Sequence, residues 1–248
     1  MPSEIFALSF TALTIGAVHT VLGPDHYLPF IMMARAGAWS IKRTGFITFL
    51  CGLGHVIGSV VLGVLGILAG VLVGRLESIE AVRGDLAAIL LMVFGVGYML
   101  WGLARVRGRR THSHVHLHEG SVVHAHGHDH PTEHKSAEAH LGHEHAHPQE
   151  SPGVRAMTPW VLFLIFAFGP CEPLIPLLMY PAAKSNLAGA LMVAGIFSAA
   201  TISTMLVIVL GLYSGLKNLN LGILERYSHF IAGLAVAACG AAILFLGL

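Results

Sequence analysis

The sequence predicts an all-α integral membrane protein of six transmembrane helices, arranged as two inverted three-helix repeats with a disordered histidine-rich loop between helices 3 and 4. Three observations predict it. Of 248 residues, 55% are hydrophobic and 11% charged, with a mean hydropathy of +0.74, too little charged surface for a water-soluble chain of this size. Six apolar runs, near 5–33, 45–73, 86–104, 157–182, 187–215 and 227–248, are each about long enough to cross roughly 30 Å of hydrocarbon as helix. A polar insert at 108–156 divides these runs three and three, and an odd number of crossings before it forces the second set into the opposite topology. The domains expected are therefore 1–107, a loop over 108–156, and 157–248.

The first run opens MPSEIFAL, with Glu4 where a signal peptide carries basic residues, and its apolar stretch is too long for one, so it is expected to stay in the mature protein. Lys and Arg resist translocation. Eleven of them fall beside runs 1, 3 and 5 on the side of the insert, including Arg35, Arg43, Arg105 and Arg226, against Arg75, Arg83 and Lys184 on the other side. This asymmetry puts both termini outside and the histidine-rich loop in the cytoplasm. A net charge of +1 with no basic stripe sets nucleic-acid binding aside. Cys51, Cys171 and Cys239 lie in apolar runs without CxxC spacing, which implies neither a disulfide framework nor a zinc ribbon.

The insert contains 13 of the 17 histidines. It has no hydrophobic periodicity to support a packed element, and its imidazoles and carboxylates offer many donor sets for Ni(II), Co(II), Cu(II) or Zn(II). A merely solubilising linker is the bland alternative. The two halves echo one another: GPDHYLPFIM at 23–32 resembles GPCEPLIPLLM at 169–179, and the same offset of 146 residues sets His55 opposite Thr201. Chance likeness of short apolar segments competes with a repeat.

Chemistry concentrates at the first of these segments. Gly23-Pro24 and Pro29 interrupt a run too long for one straight crossing, so carbonyls near 19–22 lose helical donors and become available to a cation or water. His19 and His26 are seven residues apart, close to two turns, so they share a face, with Asp25 beside the break. His55 sits among Gly52, Gly54 and Gly58, small residues that let another helix approach. In the second segment Cys171 and Glu172 follow Gly169-Pro170, offering a soft thiolate and a carboxylate at an unwound turn. Ionisable groups at membrane depth are costly unless paired, hydrated or metal-bound. The six residues His19, Asp25, His26, His55, Cys171 and Glu172 are therefore the candidate metal ligands, the alternative being polar bonds that only lock helix packing. Imidazole with carboxylate suits Ni(II), Co(II) or Zn(II) over Mg(II) and Ca(II). His229, at the start of the last run, is expected at the membrane interface.

HTVLGPDHYLPF, followed by GLGHVIGS, resembles the NicO nickel/cobalt transporter superfamily, nearest its urease-accessory, UreH-type branch. The resemblance covers the first two runs well and FGPCEPLIP more loosely. It implies a secondary permease for Ni(II) or Co(II), not an enzyme, with His19, Asp25 and His26 as the ion-binding signature and His55 as its helix 2 histidine. Five residues separate His19 from the Asp-His pair where the better-known permeases have four, and their Asp-Thr helix motif is absent, so the identity of the metal does not carry over. Exporters of the superfamily share the histidine-rich loop, while the UreH branch supplies a nickel enzyme, which leaves both directions open. The expected cargo is a divalent cation with no tightly bound cofactor. The expected setting is the cytoplasmic membrane of a prokaryote, with a second copy of the chain or a metallochaperone as candidate protein partner. Two other readings stand beside it: a membrane thiol-disulfide electron carrier using Cys51 and Cys171, and a metal sensor that does not transport.

Overall fold

The computed structural model describes residues 2–70, 73–108, 110–117, 123–130, 152–169, 171, 173–183, 187–217 and 223–247. The first apolar run is α1 (Pro2–Leu22), a 3-10 turn at Pro24–His26, and α2 (Leu28–Ala36). Pro24 has no amide to donate and Pro29 repeats the fault, so one helix becomes two. The break frees fewer carbonyls than expected: Gly23 N donates to the His19 carbonyl at 2.9 Å and the Tyr27 hydroxyl to the Val21 carbonyl at 3.4 Å. Next come α3 (Ile41–Leu68) and α4 (Val73–Gly108). Ser40 caps α3, its hydroxyl accepting from Arg43 N at 3.2 Å.

The histidine-rich insert departs from the expected absence of structure where it is described. Its backbone pairs as antiparallel strands β1 (Arg110–Leu117) and β2 (Val123–His130), with His112 opposite His128 and His116 opposite His124. Histidine alternating with small or β-branched residues has the period of a strand. The remainder of the insert lies outside the described residues.

After the insert come α5 (Pro152–Phe168), α6 (Leu174–Ala183), α7 (Leu187–Lys217), the short α8 (Ile223–Arg226) and α9 (Ser228–Leu246). Five helical stretches are long and apolar enough to cross a membrane: Glu4–Leu22, Ile41–Leu68, Gly74–Arg107, Ala188–Lys217 and Ser228–Leu246. The sixth expected crossing, 157–182, is instead divided between the 17-residue α5 and the 10-residue α6. Gly169, Pro170 and Pro173 between them prevent a continuous helix. Large apolar side chains cover the outside, Phe6 and Phe245 each 75% exposed, an arrangement that only lipid solvates. The chain is an integral membrane protein.

In lipid there is no hydrophobic drive between helices, so close packing and polar contacts hold them together. α4 and α9 run antiparallel, with Gly102 against His229, Gly95 against Ala237 and Gly240 against Ala88. A Cβ on Gly95 would stand 2.3 Å from Ala237 N, and one on Gly233 2.3 Å from Met99 N, so glycine alone permits this approach. α1 lies on α7 and α5 on α3. The turn between α2 and α3 is pinned to the far end of α7: Arg35 donates to the Leu216 carbonyl, and the Tyr213 hydroxyl to that of Trp39 at 2.5 Å.

Candidate metal centre

Three of the expected ligands meet. His19 comes from the last turn of α1, His26 from the 3-10 turn and His55 from the middle of α3, the latter two each 3% exposed. The rings of His19 and His26 lie 4.8 Å apart at 79°, and those of His26 and His55 5.1 Å apart at 89°. One ligand atom from each falls within 4.8 Å of the others. Imidazoles bound to one ion at about 2.1 Å stand at most about 4.2 Å apart, so side-chain rotation of about an ångström closes the set. The Nε2 atoms of all three are buried without a hydrogen-bond partner among the described residues. Buried polar atoms are ordinarily paired, and unpartnered nitrogens on three neighbouring imidazoles call for a ligand.

Asp25 stands behind this group instead of in it. Its Oδ1 is 3.1 Å from His26 Nδ1, and the Gly23 carbonyl is 3.3 Å from the same nitrogen. Both partners accept, so Nδ1 carries the hydrogen and Nε2 keeps its lone pair. Gly23 has no room for a side chain: a Cβ there would lie 2.6 Å from His26 Nδ1 and 2.8 Å from Asp25 Oδ1. Its counterpart Gly169 faces His55 in the same way, a Cβ meeting Nδ1 at 3.1 Å and the Phe166 carbonyl at 3.2 Å. Each glycine of the two Gly-Pro motifs thus presses its backbone against one imidazole of the group.

Cys171 is buried in a hydrophobic cluster with Leu174, Leu178 and Phe197, outside the three-histidine group. Its amide donates to Ser59 Oγ at 3.0 Å. Glu172 lies outside the described residues. Cys51 packs in a second cluster with Phe30 and Met205. Thr201 is fully buried against Gly16 on α1, its hydroxyl without a partner among the described residues. His229 bonds the Tyr98 hydroxyl at 2.8 Å beside Trp101 and Arg105, at the end of α4 that leads to the histidine-rich insert.

A brace that the sequence reading did not single out supports the α5–α6 break. Ser59 donates to Glu80 Oε2 at 3.2 Å, Arg83 to Glu80 Oε1 at 2.5 Å, and Arg83 also reaches the Ala167 and Gly169 carbonyls at 3.4 and 3.5 Å. Arg83 thereby occupies carbonyls at the C-terminal end of α5, which would otherwise lack donors. The legible signals were the spacing of Glu80 and Arg83 on one helix face and of Ser59 one turn after His55. A cavity of about 520 Å³ contains the histidines and is walled by α3, α4, α5 and the end of α9.

The fold and the site define a membrane-embedded helical protein with three imidazoles gathered at a broken helix. Set beside known proteins, the chain matches no family model, no curated protein and no solved structure.

Proposed function

We propose that this chain is a secondary transporter of divalent transition-metal ions, with Ni(II) or Co(II) as its cargo and Zn(II) as a further candidate. The observation that carries the reading is the convergence of His19, His26 and His55, whose buried Nε2 atoms lack partners among the described residues. Neutral imidazoles in that number select borderline metals over Mg(II) and Ca(II). Asp25, by holding the Nδ1 hydrogen of His26, raises the basicity of the ligand nitrogen and fixes its direction. The likeness of HTVLGPDHYLPF and GLGHVIGS to the NicO superfamily agrees with the same cargo.

An inverted repeat of three helices accounts for the reciprocal packing, in which α1 lies on α7 as α5 lies on α3, and α2 touches α7 as α6 touches α3. The broken helices α1–α2 and α5–α6 then form one pair, with backbone irregularity confined to the cavity wall. The histidine-rich insert, on the side richer in Lys and Arg, is the cytoplasmic collector of metal in this scheme.

The test is metal accumulation in cells expressing wild type, His19→Ala, His26→Ala and His55→Ala at matched protein levels. Wild type changes the cellular nickel or cobalt content, and each variant abolishes most of that change. Equal contents across all four would sink the proposal.

A further inference from the structure

The polar side chains lining the cavity at the three histidines are His19, His26, His55, Asp25 and Asp85, with no Lys or Arg among the described residues. Asp85 differs from the others. It is exposed, and no described residue forms a hydrogen bond or ion pair with it. It stands immediately before the apolar run 86–104, after a segment that carries Arg75, Glu77, Glu80 and Arg83, where a carboxylate facing a water-filled cavity mouth costs little.

The geometry also tells which way the cavity faces. Its α4 lining runs from Ala81 to Leu91, and its α9 lining is Ile243, Leu244 and Gly247. Because α4 and α9 are antiparallel, both sets belong to the end of the pair remote from Gly108, where the chain passes into the histidine-rich insert. At the other end of this pair lie Gly102 and His229, which do not line the cavity.

We propose that Asp85 is the cation-gathering carboxylate at the mouth of the centre, and that a hydrated divalent transition-metal ion reaches the three imidazoles past it, from the membrane face opposite the histidine-rich insert. This rests on the transport reading. The carboxylate acts by concentrating cations in a low-dielectric cleft and positions the ion without belonging to the three-imidazole set. Transport towards or away from that face uses the same mouth.

Asp85→Cys tests the placement. The native Cys51, Cys171 and Cys239 are buried, so wild type supplies a low background for a membrane-impermeant maleimide in vesicles of known orientation. The thiol at 85 is labelled from the face opposite to that labelling a cysteine at the exposed Ala104 near the insert, and Ni(II) slows labelling unless His26→Ala is also present. Labelling from the insert's face, or labelling indifferent to Ni(II), overturns the proposal. A second measurement is the initial rate of Ni(II) binding. Asp85→Asn lowers it about tenfold and flattens its salt dependence, and Asp85→Glu restores both; equal rates for Asn and Glu overturn it. If wild type and His26→Ala bind the same number of Ni(II) ions, the transport reading itself fails, whereas a difference between them with the wrong labelling face removes only the role of Asp85.

Discussion

The carboxylate of Asp25 holds His26 by Nδ1 at 3.1 Å, which leaves Nε2 of His26 as the nitrogen available to a ligand. A residue that orients a metal-binding imidazole in this way is commonly worth 10- to 100-fold in affinity. Asp25→Asn and Asp25→Ala are therefore expected to weaken Co(II) binding by about 10- to 100-fold, and His26→Ala to weaken it further. Titration of purified protein by the visible absorption of bound Co(II) measures both. An unchanged affinity in Asp25→Ala would remove the orienting role.

In the proposed centre a metal ion and protons would compete for the same imidazole lone pairs, so affinity has a fixed sign with pH. Every Nε2 must be free of a proton to bind, and binding weakens as the pH falls. The apparent Co(II) affinity is therefore expected to fall as the pH is lowered, and not to rise. Equilibrium dialysis at a series of pH values checks this, and a flat or inverted profile contradicts an imidazole site.

Glu80 is 1% exposed and Arg83 19% exposed. Removing one partner of such a pair strands the other, at about 3–5 kcal/mol when burial is complete. Arg83→Met should lower the melting temperature in detergent clearly, and Glu80→Gln/Arg83→Met should recover part of the loss. A double variant that is no better than Arg83→Met would mean that Arg83 acts through the Ala167 and Gly169 carbonyls alone.

The α4–α9 seam predicts a paired outcome on a single helix. Gly95→Leu places a side chain where even a Cβ would be 2.3 Å from a backbone nitrogen, while Gly97 has nothing within 4 Å. The first substitution should exceed the usual overpacking cost of about 1–3 kcal/mol and abolish stable protein. Gly97→Leu should fold, as size-exclusion profiles and thermal melts would report.

Deleting 112–147 separates collection from passage. The number of Ni(II) ions bound per chain is expected to fall by several, while the change in binding caused by His26→Ala persists and transport continues at a reduced rate. Complete loss of transport with the three-histidine site intact would favour a sensor over a permease.

Much of this was legible in the sequence, and the reasons are local ones. Hydropathy marks the runs, proline marks both breaks, and the seven-residue spacing of His19 and His26 survives the break because the 3-10 turn returns His26 to the last turn of α1. His55 joins them, although its flanking glycines seat other elements: Gly52 faces Met205 on α7, and Gly54 faces Phe163 and Ala167 on α5. What was not legible depends on distant partners. Cys171 reads as a ligand in isolation, but it packs among Leu174, Leu178 and Phe197, outside the three-histidine group. Arg83 reads as a loop charge, whereas the buried carboxylate of Glu80 on its own helix and open carbonyls on α5 draw it inward. The sixth expected crossing falls as two helices, α5 and α6, on either side of the Gly169-Pro170 break that the motif marks.

The glycine contact of Gly95 with Gly233 has a consequence for how this sequence can vary. Where two backbones touch, the acceptable volume at a position is fixed to within one methyl group, whereas Val93, Val96 and Leu100 on the exposed side of α4 need only remain apolar. Mutational tolerance along α4 should therefore rise and fall with the 3.6-residue turn, and a saturation scan scored for expression alone would trace the seam as a stripe without reference to any metal.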